Sequence, residues 1–242
     1  MTIRGLPVVW SKYNLPLSSI LAEDMTPDRF TVRIIVMAVL VAFLSATAGV
    51  AFWKITQAKR QMPRTALIVL PEPRVIADFE LLDQQSAPFS LASLEGNWSL
   101  IFFGFTHCPD VCPTALYELQ QVKQKLEQEM GPDGVIPRIV FISVDPERDT
   151  PDKLLSYLSH FDPSFIGVTG KHEQLLPLTR QVGIAYRVEE HESGATQYSV
   201  DHSTGIMLTD PKGRLYGVFP APHGAEDISS DVLATLRSKG AG

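Results

Sequence analysis

The distribution of apolar and polar positions divides the chain into an uncharged run, a polar connection and a body in which two periodicities alternate. Ile34–Trp53 (IIVMAVLVAFLSATAGVAFW) holds 20 residues without a charge. As a helix this run is about 30 Å long, the thickness of a bilayer's hydrocarbon core. A buried helix of a soluble domain normally keeps a polar stripe, so the run predicts a single transmembrane anchor. Ala46-Thr47-Ala48 resembles a leader cleavage site, yet 33 residues precede the run and apolarity resumes at Gly49–Trp53. An uncleaved anchor is therefore expected. The expected organisation is an N-terminal cytoplasmic-side segment (1–33), the anchor (34–53), a Pro-punctuated linker (54–74) and one domain (75–242).

In the body, Val75–Phe79 and Pro88–Leu91 read as short strands around a turn at Asp83-Gln84-Gln85. Trp98–Phe105 and Ile136–Val144 are continuous apolar runs of strand length, the pattern of strands covered on both faces. Between them Ala115, Leu119, Val122 and Leu126 follow a helical spacing that ends at Gly131-Pro132. Thr150-Pro151 opens a helix carrying Leu154, Leu155 and Leu158, with Thr as cap and Pro as first helical residue. A further helix is predicted from about Glu173 to Val182. Thr204–Thr209 and Leu215–Phe219 form a hairpin around Asp210-Pro211-Lys212-Gly213, and a last helix covers about Ala225–Arg237. This order predicts a three-layer α/β domain of thioredoxin-like arrangement.

Charge alters the picture in one respect. Residues 1–64 hold 8 Lys/Arg and 3 Asp/Glu, and the remainder 13 and 24, so a basic head precedes a body of net −11. So acidic a body is a poor partner for nucleic acid. Arg29 and Arg33 precede the anchor, whereas Lys54, Lys59, Arg60 and Arg64 follow it. A count of nearby positive charge thus favours a cytoplasmic body, a rule that weakens for long translocated domains.

The candidate chemistry lies in Phe105-Thr106-His107-Cys108-Pro109-Asp110-Val111-Cys112-Pro113, where a buried strand hands over to a helix. A helix N-terminus carries partial positive charge and is expected to lower a thiol's pKa there. Two cysteines four apart on one turn can form a disulfide or direct both sulfurs at a soft metal. Two sulfurs alone under-coordinate a metal. Of six histidines, His107, His160, His172, His191 and His223 occupy turns, helix ends and polar loops. His202 differs, because it immediately precedes a strand-like run whose entry would pass the cysteine-bearing helix tip. Asp201 beside it is a candidate to orient its imidazole, and Asp145, at the end of a predicted strand, a candidate to orient the site or steer a partner. Two thiolates and one imidazole suit copper, while two Cys, one His and a water also suit zinc, and spacing does not separate the two.

Gly104–Pro113, Ser143-Val144-Asp145-Pro146-Glu147-Arg148-Asp149-Thr150-Pro151, Val200-Asp201-His202-Ser203 and Asp210-Pro211-Lys212-Gly213 together resemble the Sco/SenC proteins, copper-handling assembly factors of cytochrome c oxidase. The resemblance covers roughly residues 75–237. It implies a thioredoxin-like fold and a copper site, Cu(I) or Cu(II), made by Cys108, Cys112 and His202. It also implies action on the binuclear copper centre of oxidase subunit II, by copper delivery or by reduction of that subunit's cysteines, and exchange with other copper chaperones. The implied location is the bacterial inner membrane with the domain in the periplasm, the mitochondrial inner membrane being the lesser alternative because the N-terminal stretch carries Glu23, Asp24 and Asp28, unlike an acid-poor transit peptide. The competing reading is a thioredoxin-type thiol–disulfide oxidoreductase with Cys108 attacking, Cys112 resolving and no required metal. A thiol peroxidase is disfavoured by Phe105 and Ile101, which stand where that chemistry needs threonine and proline.

Overall fold

The computed structural model describes residues 28–60, 66–192 and 194–240. They fall into two units, divided at Met62/Pro63. The first contains α1 (Arg29–Arg60), in which Arg29–Lys54 is long and apolar enough to cross a membrane. The helix thus extends the apolar run on both sides. The proposed cytoplasmic-side segment, residue 28 onward excepted, lies outside the described residues.

The second unit is built on an eight-stranded sheet. Its central members are β4 (Ser99–Gly104), β5 (Arg138–Ser143) and β6 (Ile166–Thr169), parallel to one another. Every residue of β4 is buried, which requires cover on both faces and explains the unbroken apolar run. On one side of β4 lie β9 (Ile206–Thr209), β10 (Leu215–Phe219) and β1 (Ile68–Arg74), all antiparallel neighbours. On the other side of β6 lie β2 (Leu81–Asp83) and β3 (Pro88–Phe89). A separate ribbon pairs β7 (Tyr186–Val188) with β8 (Val200–His202).

The helices are α2 (Leu91–Leu94), α3 (Val111–Met130), α4 (Pro151–Leu158), α5 (His172–Val182) and α6 (Ala225–Ser238). α3 buries Ala115, Leu119, Val122 and Leu126, as their spacing predicts, and packs against α6. In α4 the Thr150 hydroxyl accepts from the Lys153 N–H at 3.3 Å and Pro151 opens the helix. Leu154 and Leu158 face the core, but Leu155 is exposed, since residues one apart on a helix diverge by about 100°.

Three expectations shift. Val75–Phe79 forms no strand. The edge strand lies just before it, in the stretch expected to be linker, where Ile68 and Val69 pair with β10. Pro71 and Pro73 obscured that strand, and proline, lacking an N–H, is tolerated at a sheet edge. The rest of that stretch divides among the end of α1, residues 61–65, which lie outside the described residues, and Ala66 and Leu67, which lead into the strand. The ribbon β7–β8 was hidden because three-residue strands in polar sequence carry no usable period.

Candidate metal centre

β4 ends at Gly104, and the chain turns through Phe105–Asp110 before α3 begins. Gly104 has a steric reason to be glycine. A Cβ there would meet Cys112 Sγ and Phe141 Cε2, each at 2.8 Å, so the bare backbone is what lets the Cys112 sulfur sit against the strand. The turn is closed by Cys108 N–H donating to the Phe105 carbonyl at 3.3 Å. Cys112, in the first turn of α3, donates its N–H to Cys108 Sγ at 3.4 Å. The Cys108 sulfur therefore occupies the position where an unpaired first-turn N–H would otherwise face solvent.

Both cysteines are free thiols, Cys112 fully buried and Cys108 half-buried. Burial pushes the Cys112 thiol well above its ordinary range, against a smaller opposing effect from a backbone hydrogen bond with Phe105. This corrects the expectation of a helix-lowered thiol at Cys112. Removing the group from water outweighs half a helix-dipole charge.

His202 comes from the ribbon, paired with Tyr186. Its Nδ1 lies 3.0 Å from the Ser203 carbonyl and its Nε2 3.4 Å from Cys112 Sγ. A carbonyl only accepts, so Nδ1 carries the proton and Nε2 presents its lone pair to the sulfur. Burial holds the imidazole's pKa below the usual value. The ring stands edge to face with Phe105, with centroids 5.7 Å apart, and with Phe102 at 6.1 Å. Donor atoms of Cys108, Cys112 and His202 all lie within 4.8 Å of one another. This is a soft donor set of two sulfurs and one imidazole nitrogen, which fits copper and is unlike the oxygen-rich sites of hard cations.

Asp201 does not orient that imidazole. The side chain next along a strand points to the opposite face, and the Asp201 carboxylate is exposed, 3.5 Å from Arg187. The Ser203 carbonyl fills the orienting role instead. Asp145 is buried at 1% exposure, where it accepts from Arg148 Nε and from the Tyr198 hydroxyl, both at 2.5 Å. Its side-chain partners are Arg148 and Tyr198, not Cys108, Cys112 or His202.

The other histidines have local partners. His223 pairs with Glu118 at 2.9 Å, His191 with Glu147 at 3.1 Å, and His172 with the Tyr186 hydroxyl at 3.0 Å. His160 sits on carbonyls of its own helix end, and His107 is exposed, 3.9 Å from Asp149. His107, Asp145 and Asp149 also cluster, but Arg148 already compensates Asp145 there. Asp149 is the feature that sequence reasoning under-read. Fully buried, it accepts from the Thr106 N–H at 2.8 Å, the Thr106 hydroxyl at 2.6 Å and the Ser143 hydroxyl at 2.6 Å. It thereby ties the cysteine turn to the end of β5.

Comparison with known proteins agrees with this geometry. The family model described as SCO1/SenC matches residues 70–237. An SCO2-like protein of Rickettsia conorii is 40% identical over 141 residues, 58% of this chain and 67% of its own. The mitochondrial SCO2 homologue of Bos taurus is 39% identical over 164 residues, 66% of this chain but 60% of its own length. The crystal structure of Arabidopsis thaliana ScoI with copper bound superposes with a TM-score of 0.62 at 32% identity, covering 68% of this chain and 99% of that one. The thioredoxin-like arrangement is thus the Sco fold, and the chain belongs to the SCO1/SenC family.

Proposed function

We propose that the protein is a membrane-anchored copper metallochaperone, its cargo held by Cys108, Cys112 and His202. The observation that carries this reading is the convergence of two sulfurs and one imidazole nitrogen within 4.8 Å. A similar fold with copper bound, the Arabidopsis ScoI, supports it. The site is under-filled, with three donors and one half-exposed thiol, so an incoming thiolate can approach on the Cys108 side while Cys112 and His202 still hold the ion. The destination is the binuclear copper centre of cytochrome c oxidase subunit II, and other copper chaperones are the source. The anchor sits in a bacterial inner membrane with the domain in the periplasm, where translocation of a long domain overrides the basic residues after the anchor. Reduction of the target's cysteines is a second reading, favoured by the two free thiols.

Metal analysis and X-ray absorption on the purified full chain test the proposal. One copper per chain with two sulfurs and one nitrogen is expected, and His202→Ala should lose the nitrogen scatterer while keeping both sulfurs. Unchanged spectra in His202→Ala would refute the three-donor site. Partner reduction that survives His202→Ala, without copper, would favour the second reading.

Proton competition gives a further expectation. With the Cys112 thiol pushed up by burial, the metal-free protein is protonated there at neutral pH, so copper binding expels that proton. The sign follows: affinity rises with pH, by about tenfold per pH unit for each proton released. Competition titrations with a copper chelator at pH 6, 7 and 8, corrected for the chelator's own protonation, measure the slope.

A further inference from the structure

The two cysteines and the histidine are carried by different parts of the fold. Cys108 and Cys112 belong to the junction between β4 and α3, whereas His202 belongs to the ribbon β7–β8, which is not part of the main sheet. Some contact must hold the ribbon against the junction. Arg148, in the turn after β5, is the centre of the contacts that do so, beside the Tyr198–Asp145 and His191–Glu147 bonds.

The Arg148 side chain is 8% exposed, with Nε on Asp145 at 2.5 Å. Its Nη1 donates to the carbonyls of Tyr198, at 3.0 Å, and of Thr196, at 3.3 Å. These belong to the segment that enters β8 two residues before His202. The guanidinium carbon lies 3.6 Å from the Tyr198 ring centroid and 5.7 Å from that of Phe105. Phe105 in turn meets the His202 ring edge to face and accepts the Cys108 N–H through its carbonyl. On the far side of Tyr198 the His191 ring stacks at 3.7 Å, with an interplanar angle of 7°. One cation therefore touches Asp145 in its own turn after β5, the ribbon's entry segment and the Phe105 ring that stands against His202.

We infer that Arg148 is a positioning residue that clasps the His202 ribbon onto the cysteine pair, so that opening this clasp lets the histidine leave and the ion pass on. This rests on the copper-chaperone reading for its purpose but not for its first test. Guanidinium is suited to the task because its flat face stacks on rings while its edge donors reach an anion and carbonyls together. Lysine offers a point charge that cannot do both.

The experiment uses the full chain in detergent. In metal-free Arg148→Met, amide hydrogen exchange at residues 198–203 should accelerate at least about tenfold while β4 and α3 stay protected. Copper stoichiometry should remain one per chain, with affinity about 10–100-fold weaker and copper transfer to a chelator correspondingly faster. Arg148→Lys should recover less than half of either effect. Removing Arg148 leaves Asp145 buried without its cation, so Asp145→Asn/Arg148→Met, which keeps a neutral acceptor for Tyr198, covers the case of a single variant that fails to fold. Exchange at 198–203 that matches wild type in a folded variant overturns the clasp. Wild-type protein that takes up no copper overturns the chaperone reading, with the exchange result still standing by itself.

Discussion

Cys112→Ala should abolish stoichiometric copper uptake and leave the metal-free fold nearly intact. The sulfur lies against bare backbone at Gly104 and beside Phe141, 3.4 Å from His202 Nε2. Cys112 meets both other members of the site, His202 through its sulfur and the Cys108 sulfur through its backbone N–H. Its loss leaves a half-exposed thiol and an imidazole with nothing between them. A weakening of at least about a thousandfold, roughly 4 kcal/mol, is expected. Deleting one small apolar group from the core costs on the order of 1 kcal/mol, so the melting temperature should move only a few degrees. Cys112→Ser should also lose copper, because a hydroxyl is a hard donor that a soft ion does not favour. Cys108→Ala, at a half-buried position, should lose copper with almost no change in stability. Equilibrium dialysis with copper beside thermal unfolding of the metal-free chain separates these outcomes. A Cys112→Ala protein that still holds one copper at wild-type affinity would remove the sulfur pair from the site.

The amino-acid pattern exposes the architecture and the three residues that converge, but not the means of holding them together. Continuous apolar runs at β4 and β5, and the helical spacing of α3, survive into the structure because burial of whole strands and of a helix face leaves a period that reads directly. His202 was identifiable because it stands at the entry to a strand beside the helix tip. The supports were not. Arg148 and Asp149 look like ordinary turn chemistry in a Pro-rich segment, and their importance depends on Thr106, Tyr198 and Phe105, 43 to 50 residues away in the chain for the bonded pairs. Asp201 misled for the complementary reason. Adjacency in sequence suggested contact, whereas adjacency in a strand places the two side chains on opposite faces. Long-range polar contacts leave no local period, so they emerge only when the chain is folded.

The largest stability effect should come from Asp149. Its carboxylate is fully buried and accepts three hydrogen bonds from Thr106 and Ser143. Asp149→Ala leaves the Thr106 N–H and the Ser143 hydroxyl without an acceptor, while the Thr106 hydroxyl keeps His107 Nδ1 at 3.2 Å. At about 1–3 kcal/mol for an unsatisfied buried group, with some relief from water entering the gap, a net loss of roughly 3 kcal/mol is expected, or about 6–12 °C in melting temperature. The cysteine turn hangs from the same bonds, so copper affinity should fall as well. Asp149→Asn keeps an acceptor for Thr106 or Ser143 and carries no charge, and should lose less than half as much. The pH dependence separates the two contributions. Burial raises the Asp149 pKa in the folded chain despite the bonds that oppose it, so the folded state favours the protonated acid more than the unfolded state does. The stability this contributes is complete below the unfolded pKa, near 3.9 for a free Asp, and is lost as pH rises through the higher folded value. Asp149→Asn does not titrate, so relative to wild type its stability should improve as pH rises through that window. Chemical unfolding of the three proteins across the acid range measures this directly. An Asp149→Asn deficit that stays constant from below pH 4 to neutrality would show that burial of the charge costs the folded domain nothing.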